Sequence, residues 1–298
     1  MTGAPDRKQE CGTGLTVPGG WCDLTAAPER KWFTADQAVA LAGLAGVTVL
    51  AWAWLFRDAA RMESMGAMDA ADGAAGGMAG MAGMAMANPF DPVSLGLTFM
   101  MWAIMMVAMM LPSAAPAILL YAALARRWRE QGRPAVAPAW IFSAGYLAVW
   151  TAFSLAAALL QAGLQEAALL SPMLVSKSRW LSGALLVVAG VYQWLPYKDV
   201  CLQKCRAPLQ FFMFNWQSGH AGAFRMGVEH GAFCLGCCWA LMLLLFVAGV
   251  MNLVWVALIA AFVLIEKLAP GGALAGRIAG AVMIAAGLAL ASGLVAGL

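Results

Sequence analysis

Residues 230–252 read HGAFCLGCCWALMLLLFVAGVMN, with three cysteines within five positions followed by a long apolar run. On a helix, His230, Cys234 and Cys238 are spaced four residues apart, and Cys237 lies seven residues after His230, so all four return to similar angles. Thiolate, thioether and imidazole ligands suit Cu(I) or Zn(II) better than Mg(II) or Ca(II). The stretch therefore predicts a band of soft metal ligands at one end of a transmembrane helix.

The composition of the chain excludes a soluble globular domain. Of its 298 residues, 63% are hydrophobic and 11% are charged, against about 45–50% and about 25% in soluble domains. Too few polar residues are present to cover a water-exposed surface. We therefore predict an all-α fold, a polytopic transmembrane helical bundle surrounded by the lipid bilayer. The small net charge of +3, with its cations placed between apolar runs, gives no reason to expect nucleic acid as a partner.

The apolar runs predict about seven spans. They cover residues 37–56, 93–125, 139–163, 180–197, 231–250, the run from Asn252 to Lys267, and 277–297. This divides the chain into a cytoplasmic tail at 1–35, a first transmembrane helix at 36–57, a Met/Ala/Gly-rich outward-facing loop at 58–92, and a helical membrane domain at 93–298. A cytoplasmic N-terminus places 14 of the 18 Lys and Arg residues inside, as the positive-inside rule requires. Residues 198–229 are predicted to be a polar loop, and Pro196 is predicted to end the fourth span.

Methionines are concentrated in two neighbouring segments. The loop at 58–92 carries most of its methionines as M-x-x-M: Met62, Met65, Met68, Met78, Met81, Met84 and Met86. This loop is either a segment that captures Cu(I) or a low-complexity linker. The second span carries an M-x-x-x-M ladder at Met101, Met105 and Met109, to which Met106 and Met110 add a parallel pair. The alternative for the ladder is ordinary packing of methionine between helices. Pro112 and Pro116 are expected to kink this helix.

The remaining candidate ligands lie at or near the inner face in the predicted topology. Cys201 and Cys205 form a C-x-x-x-C pair, and Cys234 and Cys237 form a C-x-x-C pair. Cysteines there stay reduced and serve more often as metal ligands or redox centres than as structural disulfides. The alternative is that they are small apolar packing residues. Because Cys237 and Cys238 are adjacent, only one is expected to face a given site.

Two carboxylates are candidates for supporting these ligands. Glu229 precedes His230 directly, and Glu266 is the only acidic residue in the last three predicted spans. An ionisable group at membrane depth is costly and therefore indicates function. Glu266 is predicted either to orient His230 or to extend towards the lipid headgroups together with Lys267.

Four stretches of the chain resemble a bacterial family of predicted metal-binding integral membrane proteins, domain-of-unknown-function family 2182. They are MMWAIMMVAMMLPSAAP at 100–116, YKDVCLQKCRAP at 197–208, GVEHGAFCLGCCWALMLLLFVAGVMNLVW at 227–255, and IEK at 265–267. The resemblance covers roughly residues 93–268. It implies metal binding and a multi-pass protein of the bacterial inner membrane, without specifying an ion or a mechanism. Eukaryotic-type copper uptake channels also use Met clusters, which is a functional analogy only.

The leading hypothesis is a protein that handles Cu(I) and is not an enzyme. Methionine thioethers capture the ion, the ladder Met101, Met105 and Met109 passes it on, and a Cys/His site receives it at the cytoplasmic face. That site comprises Cys201, Cys205, His230, Cys234, Cys237 and Cys238. The chain has no G-x-x-x-x-G-K-[ST] motif, which disfavours an ATP-driven pump. The alternatives are a non-transporting metallochaperone that serves a copper membrane enzyme, a membrane thiol oxidoreductase, and a structural subunit. Zinc is the alternative metal, a copper chaperone is an alternative partner, and the oligomeric state stays open.

Overall fold

The structure is a computed structural model that describes residues 8–10, 16–18, 35–71, 88–132, 136–170, 178–250 and 252–293. Within these ranges, only the backbone is described at 8–10, 16–18, 35–36, 62–63 and 65–71. The described residues form ten helices and one short antiparallel hairpin, in which β1 (Lys8–Glu10) pairs with β2 (Thr16–Pro18). The helices are α1 (Ala35–Ala71), α2 (Pro92–Glu130), α3 (Ala139–Glu166), α4 (Arg179–Tyr192), α5 (Pro196–Arg206), α6 (Pro208–Asn215), α7 (Gly219–Leu243), α8 (Leu245–Ala248), α9 (Leu253–Leu268) and α10 (Gly272–Ser292).

Five helical segments are long and apolar enough to cross a membrane. They are Gln37–Arg61, Pro92–Glu130, Ala139–Glu166, Gly219–Ala248 and Gly272–Ser292. The predicted fourth and sixth spans correspond to α4 and α9, which are only 14 and 16 residues long. At 1.5 Å per residue these helices reach about 21 and 24 Å, less than the hydrocarbon core of about 30 Å. The structure thus supports a helical membrane protein with five helices of spanning length.

The prediction that residues 198–229 form a polar loop is wrong. This segment contains most of α5, all of α6 and the beginning of α7. Pro196 does follow the end of α4, but it also occupies the first turn of α5, where its missing N–H costs nothing and its fixed φ suits a helix. The loop assignment failed because charged residues alternate with apolar ones here, as they do on any half-buried helix.

The first two long helices differ from their predicted limits. Helix α1 continues to Ala71 and so includes the beginning of the Met-rich segment, whereas Met78, Met81, Met84 and Met86 lie outside the described residues. Helix α2 begins at Pro92 and is capped by Asp91, whose carboxylate accepts hydrogen bonds from the backbone N–H groups of Val93 and Ser94. It runs continuously through Pro112 and Pro116.

Close packing of α3 against α7 positions the cysteine-bearing helix. A Cβ at Gly145 would overlap the backbone carbonyl of Phe224, and a Cβ at Gly227 would overlap that of Phe142. The absence of side chains at these two glycines lets the helix backbones approach closely, as small residues do at membrane helix interfaces. The core formed around this crossing includes α2, and it buries the large side chains of Trp102, Tyr146 and Phe142.

Candidate metal centre

Helix α7 brings three thiols into one buried region. Cys234, Cys237 and Cys238 are all buried, and each is a free thiol. The thiols of Cys237 and Cys238 both donate to the backbone carbonyl of Cys234, each across 3.0 Å. Both bonds lie within α7, so they leave the prediction that only one of the adjacent pair faces a given site as a prediction.

Helix α5 adds two further thiols to the same region. Cys201 and Cys205 lie one turn apart on this helix, as their spacing allows. The Cys205 thiol is within hydrogen-bonding range of Cys234 and Cys237, and those hydrogen bonds together with burial raise its pKa. Burial also raises the pKa of Cys201. A Cβ added at Gly236 would lie 2.8 Å from the Cys201 sulfur, so this glycine lets α5 approach α7. We call Cys201, Cys205, Cys234, Cys237 and Cys238 the thiol cluster.

Helix α2 places a methionine against the thiol cluster. The Cys238 thiol lies 3.9 Å from the Met110 thioether sulfur. Met110 belongs to the second methionine pair of this helix and is not among the predicted ligands. The predicted ladder residues Met101, Met105 and Met109 are buried on the same helix. Met110 itself follows the last ladder residue, Met109, directly in the chain.

A lysine from α9 enters the thiol cluster, and sequence reasoning missed it as a site residue. The Lys267 ammonium donates to the Cys234 sulfur across 2.9 Å and to the Ser113 hydroxyl across 3.0 Å. The Tyr146 hydroxyl lies 3.1 Å from the same sulfur and donates to the Met110 carbonyl. Lys267 is 5% exposed, so it does not extend to the headgroups as one alternative expected. The signal in the sequence that could have pointed to Lys267 was the IEK motif at 265–267.

His230 carries an unsatisfied buried nitrogen. The residue is 3% exposed, and its Nδ1 has no hydrogen-bond partner in the structure. The rings of Phe142, Tyr146 and Phe211 surround the imidazole, with centroids 5.8–6.1 Å away. An unpaired buried nitrogen costs free energy and calls for an explanation, and a metal ion bound there would provide one.

The two carboxylates predicted to support the ligands, Glu266 and Glu229, form ion pairs with basic side chains. Glu266 forms a buried ion pair with Lys198, which also donates to the Gln193 side-chain oxygen. It therefore ties α9 to α5, and it accepts its hydrogen bond from Lys198. Glu229 forms a 3.2 Å ion pair with Arg225 on the partly exposed side of α7.

The arrangement of donors is incomplete as a closed metal site. Among the described side chains, no three Cys, His, Asp or Glu residues are placed so that they hold an ion together. A cavity of about 730 Å³ lies beside α5, but its lining includes Asp199, Lys204 and Arg277 and none of the predicted ligands. A tetrahedral zinc site with four protein ligands therefore fits poorly. The neighbouring soft donors, the thiols and the Met110 thioether, fit a Cu(I) ion with few ligands better.

The family comparison agrees with this chemistry. A family model described as PpoB2, copper chaperone, matches residues 99–290. The chain belongs to the PpoB2 copper chaperone family. The matched region begins just before the methionine ladder and includes every predicted site residue. No curated protein sequence and no solved structure matches the chain significantly. Family membership supports a copper-related function, and with the five long apolar helices it describes a copper-related membrane protein.

Proposed function

We propose that this protein is a membrane copper chaperone that receives Cu(I) on methionine thioethers and holds it at the thiol cluster for delivery to a partner. The partner would be a copper-dependent membrane enzyme or a second copper carrier. The protein itself would carry out no catalysis. In this proposal it resides in the bacterial inner membrane with seven spans and a cytoplasmic N-terminus, α4 and α9 being the two short spans.

One contact carries the proposal: the Met110 thioether lies 3.9 Å from the Cys238 thiol. It is the point at which the methionine-rich helix meets the cysteine-rich helix. Thioether and thiolate are both soft ligands that suit Cu(I). An ion moving between them would exchange one soft ligand for another without passing through a region that lacks donors.

The order of ligands favours binding and delivery over rapid flux. Thioethers are neutral ligands, whereas a thiolate is anionic and binds Cu(I) more tightly, so affinity rises from α2 towards the thiol cluster. His230 lies one helical turn before Cys234 on α7, and its unpaired Nδ1 adds a borderline donor. A tight site retains its ion until a partner offers competing thiols, which is the behaviour of a chaperone.

The test is copper binding by the purified full-length protein. Anaerobic loading with Cu(I), in competition with a chromogenic chelator, should give a bound ion that survives desalting. The Cys234→Ser Cys237→Ser variant should lose most of it. A Cys22→Ser variant serves as the control, because Cys22 belongs to the N-terminal segment at 1–35 and lies outside the family match at 99–290. Equal copper retention in the wild type and the double variant would refute the proposed site.

A second measurement separates the chaperone from its alternatives. Proteoliposomes containing the loaded protein should transfer copper to an added dithiol acceptor faster than they accumulate it in the lumen. Net accumulation would instead indicate a transporter. Turnover of a dithiol to a disulfide by metal-free protein with an added quinone would indicate a membrane thiol oxidoreductase.

A further inference from the structure

A buried lysine side chain reaches into the thiol cluster. The Lys267 ammonium lies 2.9 Å from the Cys234 sulfur, and its other contact is the neutral hydroxyl of Ser113 at 3.0 Å. The adjacent carboxylate, Glu266, is engaged by Lys198 on another helix. Among the described partners of Lys267, the Cys234 sulfur is the one that can carry a negative charge to balance the ammonium. Lys267 therefore lies beside a proposed metal ligand.

A buried charge is tolerated only when it is balanced locally. If two thiolates bind the ion, their charge and that of Lys267 leave one unit of negative charge. A monovalent ion such as Cu(I) then makes the cluster neutral, whereas a divalent ion such as Zn(II) leaves an uncompensated positive charge. Without Lys267 the balance reverses, because two thiolates alone neutralise a divalent ion.

We propose that Lys267 is a specificity residue that makes the thiol cluster select a monovalent soft cation over a divalent one. This inference rests on the proposed function, since it takes the thiol cluster as the copper site. The ratio of the Cu(I) and Zn(II) affinities isolates the effect of the Lys267 charge. The cost of deprotonating the thiols enters both affinities equally when the same thiols bind both metals, and so it cancels in the ratio.

The experiment measures Cu(I) and Zn(II) affinities by chelator competition on purified full-length protein. The variants are Lys267→Met, which removes the charge at similar length, and Lys267→Arg, which keeps it. Arg225→Met is the matched control, because it removes an exposed cation from the surface of α7. The Cu(I)/Zn(II) affinity ratio should fall by about tenfold or more in Lys267→Met, since a buried unit charge acts strongly on a nearby ion. It should stay within about twofold of wild type in the other two variants, where the buried charge is unchanged.

The possible results separate the two ideas. An unchanged ratio in a folded, copper-binding Lys267→Met protein overturns the role of Lys267 and leaves the proposed function intact. Absence of Cu(I) binding in the wild type overturns the proposed function itself.

A second measurement covers a Lys267→Met protein that does not fold. The wild type is then compared with a two-cysteine peptide lacking lysine, using Ag(I) and Cd(II) as soft ions of one and two charges. The protein should prefer Ag(I) over Cd(II) more strongly than the peptide does. An equal preference would contradict the inference.

Discussion

At the scale of single residues, the Cys234 sulfur links three other helices to α7. It receives the Lys267 ammonium from α9, contacts the Tyr146 hydroxyl of α3, and lies within hydrogen-bonding range of Cys205 on α5. These contacts hold the sulfur in one position in the interior of the bundle. A buried sulfur surrounded by donors in this way is suited to the thiolate form, which a cysteine needs in order to bind a metal.

Met110 gives the first prediction. Met110→Leu keeps the volume and apolar character of the side chain but removes its sulfur, so the free energy of unfolding should change by less than about 1.5 kcal/mol. The rate at which Cu(I) reaches the thiol cluster should fall several-fold, as measured by stopped-flow competition with a chelator. Met226→Leu, an equally buried methionine on α7 and outside the methionine-rich helix, is the control for packing. Equal rates in the two variants would show that the contact with Cys238 plays no part in transfer.

At the scale of helices, the sequence predicted the long spans and missed the short connecting helices. The spans corresponding to α2, α3 and α7 follow from apolar runs of sufficient length, because membrane insertion depends on composition and length. Helices α5 and α6 were missed because their residues mix polar and apolar types without a long apolar run. Their burial depends on the partners they meet. Lys198 illustrates this, since only the three-dimensional fold supplies the Glu266 carboxylate that neutralises it.

The Lys198–Glu266 pair joins α5 to α9 and gives the second prediction. Both side chains are almost fully buried, so removing one partner leaves an uncompensated charge and should cost about 3–5 kcal/mol. Lys198→Met and Glu266→Gln should each lower the free energy of unfolding by this order, measured in detergent by denaturant titration. The double variant should be more stable than the sum of the two losses implies. Strictly additive losses would mean that the two side chains do not interact.

The crossing of α3 and α7 gives the third prediction. Gly227→Val places a side chain where the Phe142 carbonyl lies, so the two helices must separate. Stability should fall by about 2 kcal/mol or more, and copper binding should weaken because α7 carries the thiols. Gly163→Val, at a position on α3 with nothing within 4 Å of the added Cβ, controls for the helix propensity of valine. Similar losses in both variants would show that the close approach is unimportant.

At the scale of the whole molecule, the sequence indicated a helical membrane protein with soft metal ligands, and both the five long apolar helices and the family match agree with that class. The C-x-x-C spacing also predicted that Cys234 and Cys237 lie near each other on one helix, and both are buried on α7. The contacts that other helices make with Cys234 could not be predicted from the sequence. Tyr146 and Lys267 lie 88 and 33 residues away from Cys234 in the chain, and helix packing alone brings them to it.

The central claim, that sulfur atoms of this protein bind Cu(I), is tested most directly by X-ray absorption at the copper edge of the loaded, full-length protein. The account predicts the edge of Cu(I) with sulfur as the main neighbour. It also predicts loss of that signal in a Cys234→Ser Cys237→Ser Cys238→Ser variant. A first shell of nitrogen and oxygen only, or an unchanged sulfur shell in the triple variant, would contradict it.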